Sequence, residues 1–356
     1  MKHFASLTTL LFVLLATAGC PSKNAGIALI VRGGEDLERH DYDKAVADFT
    51  GALTINPESA DASRGRGYAY FGKEDYDHAI ADFTAALAID PALGRTYAGR
   101  GLCYNEKGDY DRALADFDDA IRFEAGNAFN YSYRAKIYFR KGNYDKAIDD
   151  YDKAIAIEPK AISYYIGRGR MHGVKNEMDK AIADFNEAIR LDPQSASSYT
   201  DRSMIYIQTK EYEKALADSY EALRLDPGCA EAYLSRGQIS NDKGDYEKAL
   251  ADFETAVKLK APVAANALAW LLATCPESRI RDGANAVEYA LKACELTQWK
   301  VSGDIDTLAA AYAESGNFDE AVKFQEWYLT IRPEDKEART RLELYKSRKP
   351  YREVKP

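Results

Sequence analysis

Few side chains in this chain are spaced for covalent or acid–base chemistry. Past the first residues, histidine occurs only at His40, His78 and His172, in three separate stretches and never at ligand spacing from a cysteine or a second histidine, so no zinc site is readable. Cys275 has no histidine or acid placed by the sequence to activate its thiol, and neither a nucleophile elbow, an HExxH pair nor a Walker loop occurs. Gly65-Arg66-Gly67 and Gly167-Arg168-Gly169 carry glycines that could cradle phosphate, but both sit inside helical patterning at packing positions. Asn130-Tyr131-Ser132 matches a glycosylation sequon and lies mid-helix. The expectation is a non-enzymatic protein with no metal and no cofactor. The charged residues that do recur are an arginine and an aspartate at a fixed period: Arg32, Arg66, Arg100, Arg134, Arg168, Arg202 and Arg236, with Asp48, Asp82, Asp116, Asp150, Asp184, Asp218 and Asp252.

The elements that position this ladder come from self-similarity. Tyrosines at Tyr42, Tyr76, Tyr110, Tyr144, Tyr212 and Tyr246 fall on one 34-residue register, with Met178 in the gap. Units begin at residues 26, 60, 94, 128, 162, 196 and 230, followed by a longer unit at 264 and a last one at 302, and together they cover 26–335. Small residues recur at position 8 (Gly33, Gly67, Gly101), position 20 (Ala45, Ala79, Ala113) and position 27 (Ala52, Ala86, Ala120), and proline at position 32 (Pro57, Pro91, Pro159, Pro193). Runs such as Ala79-Ile80-Phe83-Ala86-Leu87 have the three- and four-residue intervals of an amphipathic helix, and a second helix precedes each one. Gly108, Gly142, Asn176, Gly244 and Gly316 separate the two helices and tolerate a left-handed cap.

This spacing resembles the tetratricopeptide repeat family over nearly the whole chain. The resemblance implies an all-α solenoid of helix–turn–helix units, a right-handed superhelix, whose stability is a sum over neighbouring interfaces. It also implies protein binding in a concave groove lined by positions 2, 5, 6, 9, 12 and 13 of the first helices. In units two to five those positions supply Arg64, Tyr68, Phe71, Arg95, Leu102, Asn105, Phe129, Tyr133, Lys136, Phe139, Arg140, Ile166 and Arg170. Aromatic and cationic groups mixed in this way suit a partner segment that is apolar and carries acidic groups; the other reading of the same aromatics is packing within a tight superhelix. The Lys/Asn pattern that clamps a C-terminal carboxylate in some relatives is absent, since Gly99 stands at its position.

Position 7 is usually leucine in that family, so the arginine ladder is a departure. In the last two units Trp270 and Leu308 replace the arginine where Tyr289 and Phe324 replace the aspartate. The joint change predicts that each arginine meets an aspartate, within its helix pair or in the neighbouring one, as a partly buried ion pair. Beyond the repeats, 336–356 reads as a capping helix and a basic tail carrying Lys346, Arg348, Lys349, Arg352 and Lys355. The tail and the lengthened loop from Cys275 to Gly283 each read either as packing and solvated chain or as a partner contact.

Residues 1–19 have a short basic start and an apolar run, as a secretory signal peptide does. Ala16-Thr17-Ala18-Gly19-Cys20 resembles the lipobox of bacterial lipoproteins, which implies that Cys20 becomes the acylated first residue and that residues 20–25 form a short anchor linker; ordinary secretion is the alternative. By the same resemblance Pro21 favours the outer membrane, facing the periplasm. The formal net charge of -9 argues against a nucleic-acid partner. The functional expectation is a scaffold or adaptor at the cell envelope for a protein partner; a regulatory subunit of an envelope enzyme, such as a peptidoglycan hydrolase or protease, and a pilotin-like assembly role are the alternatives.

Overall fold

A computed structural model describes residues 21–353 apart from Pro262, and these form two compact units, one through Met171 and one from His172. Cys20 and the signal-like stretch lie outside the described residues. The first unit comprises α1 (Pro21–Glu38), α2 (Tyr42–Ile55), α3 (Ala60–Gly72), α4 (Tyr76–Ile89), α5 (Gly94–Glu106), α6 (Tyr110–Phe123), α7 (Ala128–Arg140), α8 (Tyr144–Ile157) and most of α9 (Ile162–Val174). The second comprises α10 (Met178–Leu191), α11 (Ala196–Gln208), α12 (Tyr212–Leu225), α13 (Ala230–Asp242), α14 (Tyr246–Lys258), α15 (Ala264–Thr274), α16 (Gly283–Leu296), α17 (Ser302–Glu314), α18 (Phe318–Ile331) and α19 (Lys336–Lys346). The described residues contain helices and no strand, so the chain is an all-α repeat solenoid.

One expectation is corrected. Residues 21–25, read as a linker, are the first turn of α1. Proline is tolerated at the first helical position because its missing N–H would be unpaired there and its fixed φ suits the helix, so Pro21 can start the helix.

Each helix pair is closed by the same local chemistry. The residue before the second helix caps it: the side chains of Asp41, Asp75, Asp109 and Asn143 accept the backbone N–H three residues on, satisfying one of the free donors of the first turn. The turn ahead of the cap has a left-handed residue in every such unit. Gly108 (φ +75°) and Gly142 (φ +73°) adopt this at no steric cost, whereas Glu74 (φ +61°) and Lys210 (φ +60°) do so against their own Cβ.

The core is built from rings clasped by glycines. Phe83 is fully buried, and a Cβ at Gly67 of its own repeat would lie 2.8 Å from the ring, while one at Gly99 of the next repeat would lie 2.9 Å from it. Phe49 is held likewise by Gly33 and Gly65, with would-be Cβ contacts of 3.0 and 2.4 Å. Each ring therefore fills the seam between consecutive first helices, which explains why a repeat cannot bury its apolar face alone. In the second unit Ser219 stands at the ring position, and its hydroxyl lies 2.9 Å from that of Ser203, the small residue opposite; both are fully buried and both reach the carbonyl of Ala215.

Candidate functional site

The Arg/Asp ladder forms, and it is structural. Nε and Nη2 of Arg66, Arg100, Arg134, Arg202 and Arg236 donate to the two carboxylate oxygens of Asp82, Asp116, Asp150, Asp218 and Asp252 at 2.6–2.9 Å, in the second helix of the same repeat. Arg32 binds Asp48 in the same bidentate way. Arg168 belongs to the first unit and Asp184 to the second. The aspartates are buried, Asp150 to 2% exposure. The remaining nitrogen reaches the preceding repeat: Nη1 of Arg66 donates to Thr50 (3.2 Å), of Arg100 to Thr84 (3.1 Å), of Arg134 to Asp118 (2.5 Å), of Arg168 to Asp152 (2.5 Å) and of Arg202 to Asn186 (2.6 Å). The guanidiniums of Arg66, Arg100, Arg134 and Arg202 thus use their planar fork within one repeat and their third edge on the previous one, a role lysine could not fill. Burial alone would lower the pKa of Arg134, but its bonds to Asp150 and Asp118 outweigh that and raise it. Burial dominates at Asp116, whose pKa is raised despite Arg100.

Where the arginine is lost, the site turns apolar. Leu308 is fully buried in the large cluster of the second unit, and Trp270, Tyr289 and Phe324 pack against that cluster. Arg341 of α19 then supplies a new buried pair, donating to Asp306 at 3.2 and 2.8 Å while Gln325 donates to the same carboxylate at 2.7 Å. Its guanidinium lies 5.6 Å from the ring centres of both Trp270 and Tyr351.

The sequence-derived groove residues all fall in the first unit, and several are engaged internally. Tyr68 donates its hydroxyl to the carbonyl of Arg95 (2.8 Å), and burial pushes its pKa up to about 12. Phe129, Tyr133 and Lys136 come together, with the rings 4.2 Å apart and the ammonium 4.2 Å from the Tyr133 ring centre. Desolvation, then the neighbouring Arg140, lowers the Lys136 pKa. Arg140 donates to the Tyr110 hydroxyl (3.3 Å), Arg64 pairs with Asp61 (2.6 Å), and Arg95 lies 3.9 Å from Glu124. Phe71 stacks at an angle on Tyr76, Leu102 packs beside the Phe117 cluster, and buried Asn105 donates to Glu106 (3.0 Å). Ile166 is half-buried; Phe139 and Arg170 are exposed.

The second unit contains a cleft of about 1000 Å³. It is walled by Met204, Ile207 and Gln208 of α11, by six residues of α13 from Glu231 to Asp242, by Asn266, Ala267, Trp270 and Leu271 of α15, and at one end by Tyr351 and Glu353 of the C-terminal tail. Its apolar residues are partly open to solvent, with Met204 at 46% and Val263 at 58% exposure. Between them stand amide oxygens, Oδ1 of Asn241 and of Asn266, that are buried and make no hydrogen bond within the chain. Gln238 and Tyr212 fix Asp242 at 2.7 and 3.2 Å, and burial followed by Asp242 raises the Tyr212 pKa. An apolar floor with unpaired amide acceptors can take up an extended chain, whose side chains cover the floor while its N–H groups satisfy the amides.

Positions 2, 5, 6, 9, 12 and 13 of the unit beginning at 230 are Glu231, Leu234, Ser235, Gln238, Asn241 and Asp242, all in the cleft wall. The positional rule applied to the seventh unit as well would have found them. It fails at α15, where the lining side chains fall at other positions of the repeat.

The described residues offer no other chemistry. No group of His, Cys, Asp and Glu among them could hold a metal, and their four cysteines are free. Burial raises the Cys103 and Cys294 thiols to about 12, which leaves them unreactive. No described helix is long and apolar enough to cross a membrane.

Sequence profiles described as tetratricopeptide repeat match residues 32–93, 94–127, 128–161, 167–228 and 200–264. No curated protein matches the chain significantly. Among solved structures, the chain is similar to the anaphase-promoting complex heterotetramer Cut9–Hcn1 (17% identity, TM-score 0.61, 89% of this chain and 63% of that one). It is similar to a tetratricopeptide repeat protein of Parabacteroides merdae (19%, 0.56, 77% and 99%) and to PilF of Pseudomonas aeruginosa (19%, 0.53, 59% and 96%). At these identities the likeness concerns the fold.

Proposed function

This chain belongs to the tetratricopeptide repeat family and is a scaffold for protein–protein interaction, and we propose that it works at a bacterial cell envelope by holding an extended segment of a partner protein in the cleft between α11, α13 and α15. The observation that carries this reading is the cleft itself, with exposed Met204 and Val263 beside the unpaired amide oxygens of Asn241 and Asn266. In the same proposal Cys20 is acylated after removal of residues 1–19, and the protein faces the periplasm from the outer membrane. Residues 21–25 are helical, and several acyl chains suffice for stable attachment.

The proposal is tested in two halves. Metabolic labelling with a radioactive fatty acid should mark the parent and not a Cys20→Ser variant, which should also leave the membrane fraction; an unlabelled parent removes the anchor. For the cleft, Met204→Glu with Val263→Glu, both at exposed positions, should abolish partner binding while leaving the melting curve near that of the parent.

A further inference from the structure

The described part of the C-terminal tail, through Glu353, packs back on the second unit. After α19 it returns across α15, where the backbone N–H of Glu353 donates to the carbonyl of Thr274 (2.9 Å) and the indole of Trp270 donates to the Glu353 carboxylate (2.6 Å). Arg352 pairs with Glu314, which also receives Arg281 at 3.0 Å. The Tyr351 ring lies 6.1 Å from that of Trp270 and faces the Arg341 guanidinium. Tyr351 and Glu353 both line the cleft, while Arg352 between them turns to Glu314. A main-chain bond, a carboxylate on an indole donor and a ring beside an aromatic–cation pair are the contacts by which one chain would recognise another segment.

We propose that Tyr351–Glu353 is an internal ligand seated at one end of the cleft, and that the external partner enters there with an extended aromatic–x–carboxylate segment, displacing the tail. The inference rests on the cleft reading above. Tethering gives the tail an effective concentration in the millimolar range, so a partner must outcompete it and the tail sets a threshold for binding. Chain connectivity limits how far the tail moves, since α19 stays held by the buried Arg341–Asp306 pair.

The experiment uses the full chain and a fluorescent peptide with the sequence of residues 348–356. The parent should bind it weakly. A Tyr351→Ser, Glu353→Ala variant, whose own tail is loosened by loss of the acceptor for the Trp270 indole, should bind at least tenfold more tightly. In that variant background, Trp270→Phe should weaken the native peptide about fivefold and leave unchanged a peptide carrying Ala in place of Glu353, which has no acceptor for the indole N–H. Equal affinity for parent and tail variant, or no binding to a variant that melts like the parent, overturns the proposal. If the peptide fails while a partner still crosslinks to Met204 and Leu234, the internal ligand is wrong and the cleft reading stands; if the peptide binds and no partner reaches those residues, the subsite stands without it.

Discussion

Replacing Arg134 by leucine removes three hydrogen bonds at once, two to Asp150 and one to Asp118. The side chain of Asp150 is 3% exposed and that of Arg134 14%, so the carboxylate left behind cannot be rescued by water. Breaking such a pair from one side costs about 3–5 kcal/mol. Asp118 is 58% exposed and adds at most about 1 kcal/mol. With about 2–4 °C per kcal/mol for 150–250 residues, the transition that reports the first unit should fall by roughly 6–24 °C. The last repeat supplies the compensating change, since Leu308 and Phe324 hold the two positions there. Arg134→Leu combined with Asp150→Phe should therefore recover at least half of the loss. Thermal and urea melts followed by circular dichroism measure both. A single variant that costs under about 1 kcal/mol, or a double variant as damaged as the sum of its parts, would refute the claim that the ladder's strength lies in pairing rather than in either charge.

Three further outcomes follow from particular residues. Glu74 sits at φ +61° where Gly108, Gly142, Gly244 and Gly316 stand in other repeats, so Glu74→Gly should stabilise the first unit by about 1 kcal/mol in a urea melt; an unchanged midpoint would mean the turn is not strained. Gly99→Val would drive a side chain into the Phe83 ring at 2.9 Å and Tyr68 at 3.1 Å, costing about 1–3 kcal/mol, and a variant melting with the parent would show that the seam can open. Bonds from Lys180, His172 and Lys175 lower the Glu177 pKa to about 2. Its contribution is present above the ordinary glutamate range and is lost as pH falls toward 2, so Glu177→Gln should destabilise at pH 7 and progressively less below about 4.5; a penalty independent of pH would contradict this.

The repeat period and the ladder were legible because identical contacts recur, and identical contacts leave identical residues at fixed intervals. The partner of the arginine's third edge was not, because Thr50, Asp118 and Asn186 solve the same problem with different acceptors. Lys73, Lys107 and Lys141 also pair with Asp43, Asp77 and Asp111 of the preceding repeat at 2.5–2.6 Å, an exposed second ladder that the sequence displays but that lysine on a surface does not announce. The lengthened loop explains itself only in three dimensions: Ile280 is buried, and Arg281 donates to the carbonyls of Cys275 and Pro276 and to Glu314. The return of the tail rests on contacts made once, such as that between Trp270 and Glu353, with no repeated counterpart, so no periodicity could reveal it. The cleft was half legible, through the positions of α13 and not those of α15.

The central claim is that the cleft of the second unit holds a partner protein. A photoreactive amino acid placed singly at Met204, Leu234 and Val263, and at exposed Lys258 and Glu254 on α14 as controls, tests it in cells that make the chain. The account predicts one crosslinked partner from the three cleft positions and none from α14. Crosslinks to that partner from α14 alone, or none from any cleft position, would contradict it.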